Sequence, residues 1–231
     1  MMDKSRRLAS FFDSKGFTLR ERACLHLPNC IDYSYSMFGT LANGMTVTTV
    51  NPAYTAHEMT TQLKSSTPRV VITNSQFLDT ARKAADNVSS VDVIVCLDEV
   101  SVSDSGVVNM SDILEKGNPT FSADLSTIDP IEDVAFILYS SGTTGLPKGV
   151  MIKHYGMTSN VLQILDFFGD NMPKDVLAVL PMFHIYGLNV IKLCNFYYGN
   201  TVHSLPAFEP AQFLSCLQNN KVRFTFYLQQ T

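Results

Sequence analysis

Short apolar runs rich in β-branched residues alternate along the chain with longer stretches whose apolar positions recur at helical spacing, the pattern of strands interleaved with helices. Residues 23–27, 46–50, 69–73 and 91–97 read as strands, with helices at 31–42, 56–66 and 76–87 between them. Thr55 stands where it caps the second of these helices, and Asn51-Pro52 before it stops the preceding strand. The βα alternation predicts an α/β fold of parallel sheets flanked by helices, joined by right-handed crossovers. An amphipathic helix opens the chain, with Leu8, Phe11 and Phe12 beside Lys4, Arg6 and Arg7. From 98 to 130, Ser, Asp, Gly and Asn are dense enough to predict a long connection holding one short helix near 112–116. The alternation then resumes with strands at 134–139, 176–180, 201–205 and 222–228 and helices near 155–168, 189–198 and 213–218. Residues 1–128 form a first sheet subunit with its connection in this reading, and 129–231 a loop and the start of a second; internal repeats are absent.

One segment stands apart from this pattern. Val134-Ala135-Phe136-Ile137-Leu138-Tyr139 is apolar throughout, as a parallel strand covered on both faces must be. It runs directly into Ser140-Ser141-Gly142-Thr143-Thr144-Gly145-Leu146-Pro147-Lys148-Gly149. Ligands of open α/β sheets collect at the carboxyl ends of strands, so this loop leaves the strand where chemistry is expected. Gly142, Gly145 and Gly149 have no side chains to hold a phosphate away from backbone N–H groups; Ser140, Ser141, Thr143 and Thr144 add hydroxyl donors, and Lys148 supplies a cation. A surface turn of small polar residues that binds nothing is the plain alternative. A Walker A loop is excluded by spacing, because Pro147 stands where its second glycine belongs and Gly149, not Ser or Thr, follows the lysine.

Composition narrows the function classes. The chain has 231 residues, 45% of them apolar, enough for a substantial core. Its net charge of −4 and scattered Lys and Arg give no basic stripe, which argues against a nucleic-acid partner. The basic cluster at Lys4, Arg6 and Arg7 reads as a solvated helix face. The apolar stretch 176–194 approaches membrane-spanning length but is interrupted by Pro181, His184, Gly187 and Lys192, so it reads as a buried strand and helix and no transmembrane segment is expected. Five cysteines without a C-x-x-C pair, and an opening without a secretory apolar core, point to a reducing compartment.

Leu138 to Val150, taken as it stands, resembles the signature of the adenylate-forming enzymes, which include acyl-CoA synthetases, coumarate:CoA ligases and beetle luciferases. Gly44-Met45-Thr46-Val47-Thr48-Thr49-Val50-Asn51-Pro52-Ala53-Tyr54-Thr55 and Pro181-Met182-Phe183-His184-Ile185-Tyr186-Gly187-Leu188 resemble the same family in the same order, nearest its coumarate and acyl-CoA ligase branch. The resemblance implies ATP-dependent activation of a carboxylate to an acyl-adenylate, then transfer to coenzyme A, the work of an acid–thiol ligase. Implied with it are ATP, Mg2+ and coenzyme A as co-substrate, and a fatty or phenylpropenoic acid. Ser140, Ser141, Gly142, Thr143, Thr144, Gly145 and Lys148 become ATP contacts, Lys148 acting in catalysis by neutralising phosphate charge rather than as a base. His184 and Tyr186, just past the apolar run 176–180, become substrate-pocket residues; without the resemblance, His184 reads as a partly buried structural histidine.

Members of the family are more than twice this length. The resemblance therefore implies a partial N-terminal domain, without the glutamate that helps hold magnesium, the ribose-binding aspartate, or the C-terminal domain and its catalytic lysine. Ala207 stands where relatives commonly carry a basic residue, so the match does not extend to that coenzyme A contact. Two other readings stay open at this point: a non-catalytic nucleotide-binding fragment or pseudoenzyme whose exposed apolar face is covered by a partner chain, and a luciferase-like adenylating enzyme that does not use coenzyme A. Cysteine usage places the chain in the cytoplasm; the alternative, a peroxisome, has no Ser-Lys-Leu type tripeptide at the C-terminus to mark it.

Overall fold

Val70-Val71-Ile72-Thr73 offers no polar face to water, and in the folded chain it becomes a strand buried at every residue. The computed structural model describes residues 1–101, 106–140, 147–169, 173–220, 222 and 224–225. Two units are distinguished, one built from Met1–Leu27 and Asp32–His154, the other from Pro28–Ile31 and Tyr155–Thr231.

The first unit runs α1 (Met2–Ser14), β1 (Arg22–Leu25), α2 (Asp32–Ala42), β2 (Thr46–Thr49), α3 (Ala56–Ser66), β3 (Val70–Thr73), a 3-10 turn (Ser75–Phe77), α4 (Leu78–Ala85), β4 (Val93–Cys96), β5 (Val107–Asn109), α5 (Met110–Lys116), β6 (Val134–Ser140) and β7 (Lys148–Lys153). Its seven strands lie in the order β5-β4-β3-β1-β2-β6-β7. All neighbours pair in parallel except β6 and β7, which are antiparallel. Cys24, Val71, Ile94 and Cys96 pack on one face against Met59 and Leu63 of α3 and Leu78, Ala81 and Ala84 of α4. The alternate residues Ala23, Leu25, Val70, Ile72 and Val95 are equally buried, so water is excluded from both faces of the sheet centre. The mostly parallel sheet flanked by helices is the architecture the sequence pattern predicts.

Local chemistry explains most boundaries. Thr55 closes a capping box: its hydroxyl accepts from the Glu58 amide, and the Glu58 carboxylate accepts from the Thr55 amide at 2.8 Å. The Thr55 amide and the Thr55 hydroxyl, which also donates to the Glu58 carboxylate at 2.7 Å, together hold that carboxyl below its ordinary range. The 98–130 connection contains a strand that sequence reading does not anticipate. Three residues, Val107–Asn109, pair with β4, and the Asn109 side chain closes the strand's approach by bonding both the amide and the carbonyl of Val100 at 3.1 Å. A strand that short leaves no alternation to read.

Helix α1 rests on α2 and α5. The crossing is close because Gly39 has no side chain: a Cβ there would stand 2.9 Å from Leu8 Cδ2 and from the Ser5 carbonyl oxygen. Arg7 also donates from α1 to the Gly117 carbonyl at 2.8 Å, tying the helix to the end of α5.

The second unit carries most of α6 (His154–Phe168), then β8 (Asp175–Ala178), a π-helix (Tyr186–Leu193), α7 (Cys194–Tyr198), β9 (Thr201–Ser204), α8 (Pro210–Asn219) and β10 (Phe224–Thr225). Its sheet is parallel, in the order β10-β8-β9. The helix expected near 189–198 begins earlier, at Tyr186, and its first eight residues are wound as a π-helix. Gly199, at φ +73°, ends α7 in the left-handed region. Glu209 caps α8 by accepting from the amides of Ala211 and Gln212, and Pro210 takes the first helical position. Among the described residues no helix is long and apolar enough to cross a membrane.

Two expectations follow from this packing. Gly39→Val places two methyl groups where α1 already touches α2 and should destabilise the first unit by about 1–3 kcal/mol, read by urea unfolding. His26, fully buried after β1, has its Nδ1 3.3 Å from Thr73 Oγ1 and its ring 5.5 Å from that of Phe77. Burial lowers its pKa from 6.5 to about 4, against the opposing pull of the Pro52 backbone. The unfolded chain therefore takes up a proton below pH 6.5 that the folded chain refuses. This part of the stability is complete above pH 6.5 and declines as pH falls toward 4. Between pH 7 and 5 the loss should be about 2 kcal/mol. Unfolding titrations of wild type and His26→Leu at both pH values check it, the variant lacking that increment.

Candidate functional site

The loop singled out by sequence joins β6 to β7, and its base is the best-defined part of the site. In the antiparallel pair Ser140 lies opposite Lys148 and Tyr139 opposite Gly149. Ser140 and Lys148 therefore face each other across the mouth of the loop, both exposed, and Pro147 leads into β7. Ser141, Gly142, Thr143, Thr144 and Gly145, the other residues expected to meet phosphate, lie outside the described residues.

Two features set this base. Gly149 leaves room for its neighbours: a Cβ there would fall 3.1 Å from Ile137 Cγ2 and 3.2 Å from Tyr139 Cζ. The Tyr139 hydroxyl donates to the Gln62 carbonyl at 3.2 Å, and the Gln62 side chain donates to the Thr49 carbonyl. The end of β6 is thus linked through α3 to the carboxyl end of β2, its parallel neighbour. Sequence reading missed Tyr139 and Gln62 as supports, and only the position of Tyr139 beside the loop hinted at a role.

The structure corrects the reading of this segment in one respect. The sequence predicts a parallel strand, a loop and then a helix, whereas residues 148–153 form β7 and turn β6 into half of a hairpin. Lys148 thereby becomes a strand residue with a fixed backbone. Val150 and Met151 of this edge strand are 48% and 69% exposed, which hides the strand from a reading based on burial. At the far end of the hairpin, Lys153 pairs with Glu132 at 2.7 Å. Among the described residues no carboxylate stands within ion-pairing distance of Lys148.

His184 and Tyr186 belong to the second unit, in and just after the segment that follows β8. His184 is exposed and Tyr186 half-buried. The Tyr186 amide donates to His184 Nδ1 at 3.3 Å, so the two predicted pocket residues are brought together. The His184 amide in turn donates to the Pro181 carbonyl at 3.1 Å, and the Leu188 amide to the His184 carbonyl at 2.9 Å. Deeper in the same helix Lys192 is fully buried, and burial lowers its amine to about 7 against the opposing influence of Cys30.

A cavity of about 840 Å3 opens elsewhere in the first unit, lined by Arg82, Asp86, Asp92 and Val107. It sits at the amino ends of β4 and β5, and none of the candidate residues lines it. The residues expected from sequence lie instead at the carboxyl end of β6, which ends at Ser140. Among the described residues no group of three His, Cys, Asp or Glu side chains is placed to hold a metal ion.

The family model described as AMP-binding enzyme matches residues 1–229. The 4-coumarate–CoA ligase 1 of Arabidopsis thaliana is 35% identical over 226 residues, covering 94% of this chain and 40% of that protein. The 4-coumarate–CoA ligase of Pinus taeda is 33% identical over 222 residues, with 94% and 40% covered. The chain spans about two fifths of the length of these curated relatives. Among solved structures, the anthranilate CoA ligase AuaEII in complex with anthranoyl-AMP superposes with a TM-score of 0.87 at 21% identity, over 97% of this chain and 43% of that one. A natural red emitting luciferase from Phrixothrix hirtus gives 0.86 at 27% identity, over 97% and 55%. ATP-bound MatB from Rhodopseudomonas palustris gives 0.79 at 22%, over 94% and 41%. With a family model matched along nearly its whole length and a sheet architecture shared with these enzymes, the chain belongs to the AMP-binding family of adenylate-forming enzymes and corresponds to part of their N-terminal domain.

Proposed function

We propose that this chain binds ATP at the loop between β6 and β7, as the nucleotide-binding part of an ATP-dependent ligase that joins an aromatic carboxylic acid to coenzyme A. The observation that carries the reading is the register of the hairpin: Ser140 and Lys148 stand opposite each other, exposed, at the carboxyl end of a strand in a mostly parallel sheet. The 4-coumarate–CoA ligases among its relatives and the anthranoyl-AMP held by AuaEII support an aromatic acid, and ATP-bound MatB supports the nucleotide.

The chemistry asked of these residues is electrostatic. A carboxylate oxygen attacks the α-phosphorus of ATP, a new P–O bond forms, and the bond to the β-phosphate bridging oxygen breaks to release pyrophosphate. Two anions must approach, and negative charge gathers on the leaving group, so fixed donors and a cation lower the barrier without a protein nucleophile. Lys148 supplies the cation from a strand whose backbone is already ordered, which limits the entropy lost on binding. Ser140 adds a hydroxyl donor at the same mouth. His184 and Tyr186 contribute an imidazole and an aromatic wall for the acyl group. Thioester formation follows when the coenzyme A thiol attacks the acyl carbonyl carbon and AMP leaves. Magnesium accompanies ATP in such reactions; among the described residues no group of three His, Cys, Asp or Glu side chains is placed to hold the ion.

Calorimetric titration with ATP tests the proposal directly. Lys148→Ala removes one charge-assisted contact, of about 1.5–3 kcal/mol, and should weaken ATP binding about 10- to 100-fold. Raising the salt concentration should weaken wild type more than the variant. ATP–pyrophosphate exchange with phenylpropenoic and fatty acids then reads adenylation itself. Exchange that depends on Lys148 and prefers the phenylpropenoic acids supports the full reaction. ATP binding without exchange limits this chain to the nucleotide site, and ATP affinity unchanged by Lys148→Ala would remove the loop from the reading.

A further inference from the structure

Asn29 is separated from the His184 segment by about 150 residues of sequence, yet it belongs to the same unit, because Pro28–Ile31 folds with residues 155–231. Its side chain is 4% exposed and makes hydrogen bonds of both kinds. Nδ2 donates to the Leu180 carbonyl at 3.0 Å, with a longer approach of 3.5 Å to the Ala178 carbonyl at the end of β8. Oδ1 accepts the Met182 amide at 2.7 Å. One carboxamide thus holds the backbone on both sides of Pro181.

Pro181 is where the chain turns from β8 toward the π-helix. It has no N–H of its own, so the direction of the turn depends on the groups that flank it. Its carbonyl accepts the His184 amide at 3.1 Å. Gly187 packs so closely beneath that a Cβ would stand 2.2 Å from the same carbonyl oxygen. Asn29 holds the turn from one side and Gly187 closes on it from the other, and His184 and Tyr186 lie between those two anchors.

We propose that Asn29 is a positioning residue: its carboxamide fixes the Leu180–Met182 backbone and thereby sets the placement of His184 and Tyr186. Only a neutral amide suits the place. Asparagine donates to one carbonyl and accepts from one amide two residues further on. An aspartate can accept but has no proton to donate to Leu180, and would set a charge beside that carbonyl; a leucine does neither, leaving buried polar groups without partners. The positioning role stands on geometry within one unit. Its meaning for substrate rests on the reading of His184 and Tyr186 as acyl-pocket residues.

The test is amide hydrogen exchange on the intact 231-residue chain, wild type against Asn29→Asp, followed residue by residue by NMR. The expected result is exchange accelerated about tenfold or more at Met182, His184 and Leu188, with the ladder between β8 and β9 unchanged. Acceleration at Met182 alone would show that Asn29 merely satisfies its own partner, and equal acceleration throughout the unit would show a role in general stability; either overturns the proposal. If Asn29→Asp does not fold, Asn29→Ser, too short to span both partners, carries the same readout. A second arm titrates a non-reactive coumaroyl-sulfamoyl adenosine and ATP in parallel. Affinity for the acyl-adenylate mimic should fall about tenfold while ATP affinity stays within about twofold. Should wild type bind ATP but not the mimic, the pocket reading of His184 and Tyr186 fails, and the exchange rates still decide the role of Asn29.

Discussion

The constraint from which the rest of this chain follows is the exclusion of water from both faces of its central parallel strands. Residues of β1 to β4 are buried on either side, so their backbone groups can be satisfied only by one another, and the strands must pair in register over their whole length. No polar side chain can work from the middle of such a sheet. Chemistry is displaced to the carboxyl ends of the strands, and there the chain places its unusual residues: His26 and Thr73 after and at the ends of β1 and β3, and Ser140 at the end of β6. In the second unit, His184 and Tyr186 follow β8 in the same sense.

Buried polar groups show how closely that exclusion is enforced. His26 is held neutral because its imidazole has no access to water, and the Lys192 amine is lowered for the same reason. The surface ion pairs behave differently. Arg69 joins Glu21 and Asp92 and lies over the Phe17 ring, and Arg20 binds Asp133 at 2.6 Å, but these groups are reached by solvent and contribute orientation more than stability. They tie loops around a frame whose energy comes from apolar burial.

The hairpin of β6 and β7 closes one edge of this frame. β6 is parallel to β2 on one edge and antiparallel to β7 on the other, so a single strand belongs to the buried sheet and also to its exposed edge pair. Tyr139 shows the compromise. Its ring passes over Gly149 and its hydroxyl reaches the Gln62 carbonyl, fixing the loop base without occupying the loop mouth. The facing strand mounts Lys148 opposite Ser140, both exposed to solvent.

Much of this was written in local sequence. The helix Ala56–Ser66 is bounded as its capping residues require, because Thr55 and Glu58 act within four residues of one another. β1 to β4 and β6 were legible as short runs rich in apolar and β-branched residues. Other features depend on partners that the segment's own residues do not announce. β7 is an exposed edge strand with no burial pattern of its own, and it exists because β6 offers it hydrogen bonds. β5 is three residues long and forms only against β4. Nothing around Asn29 announces that its amide will hold the turn at Pro181, since its partners lie about 150 residues away. Sequence by itself determined the elements whose energy is local, namely helices, caps, buried strands and the composition of the loop. Tertiary structure alone decided edge pairing and the anchoring of the turn at Pro181, because both rest on hydrogen bonds to partners outside the segment itself.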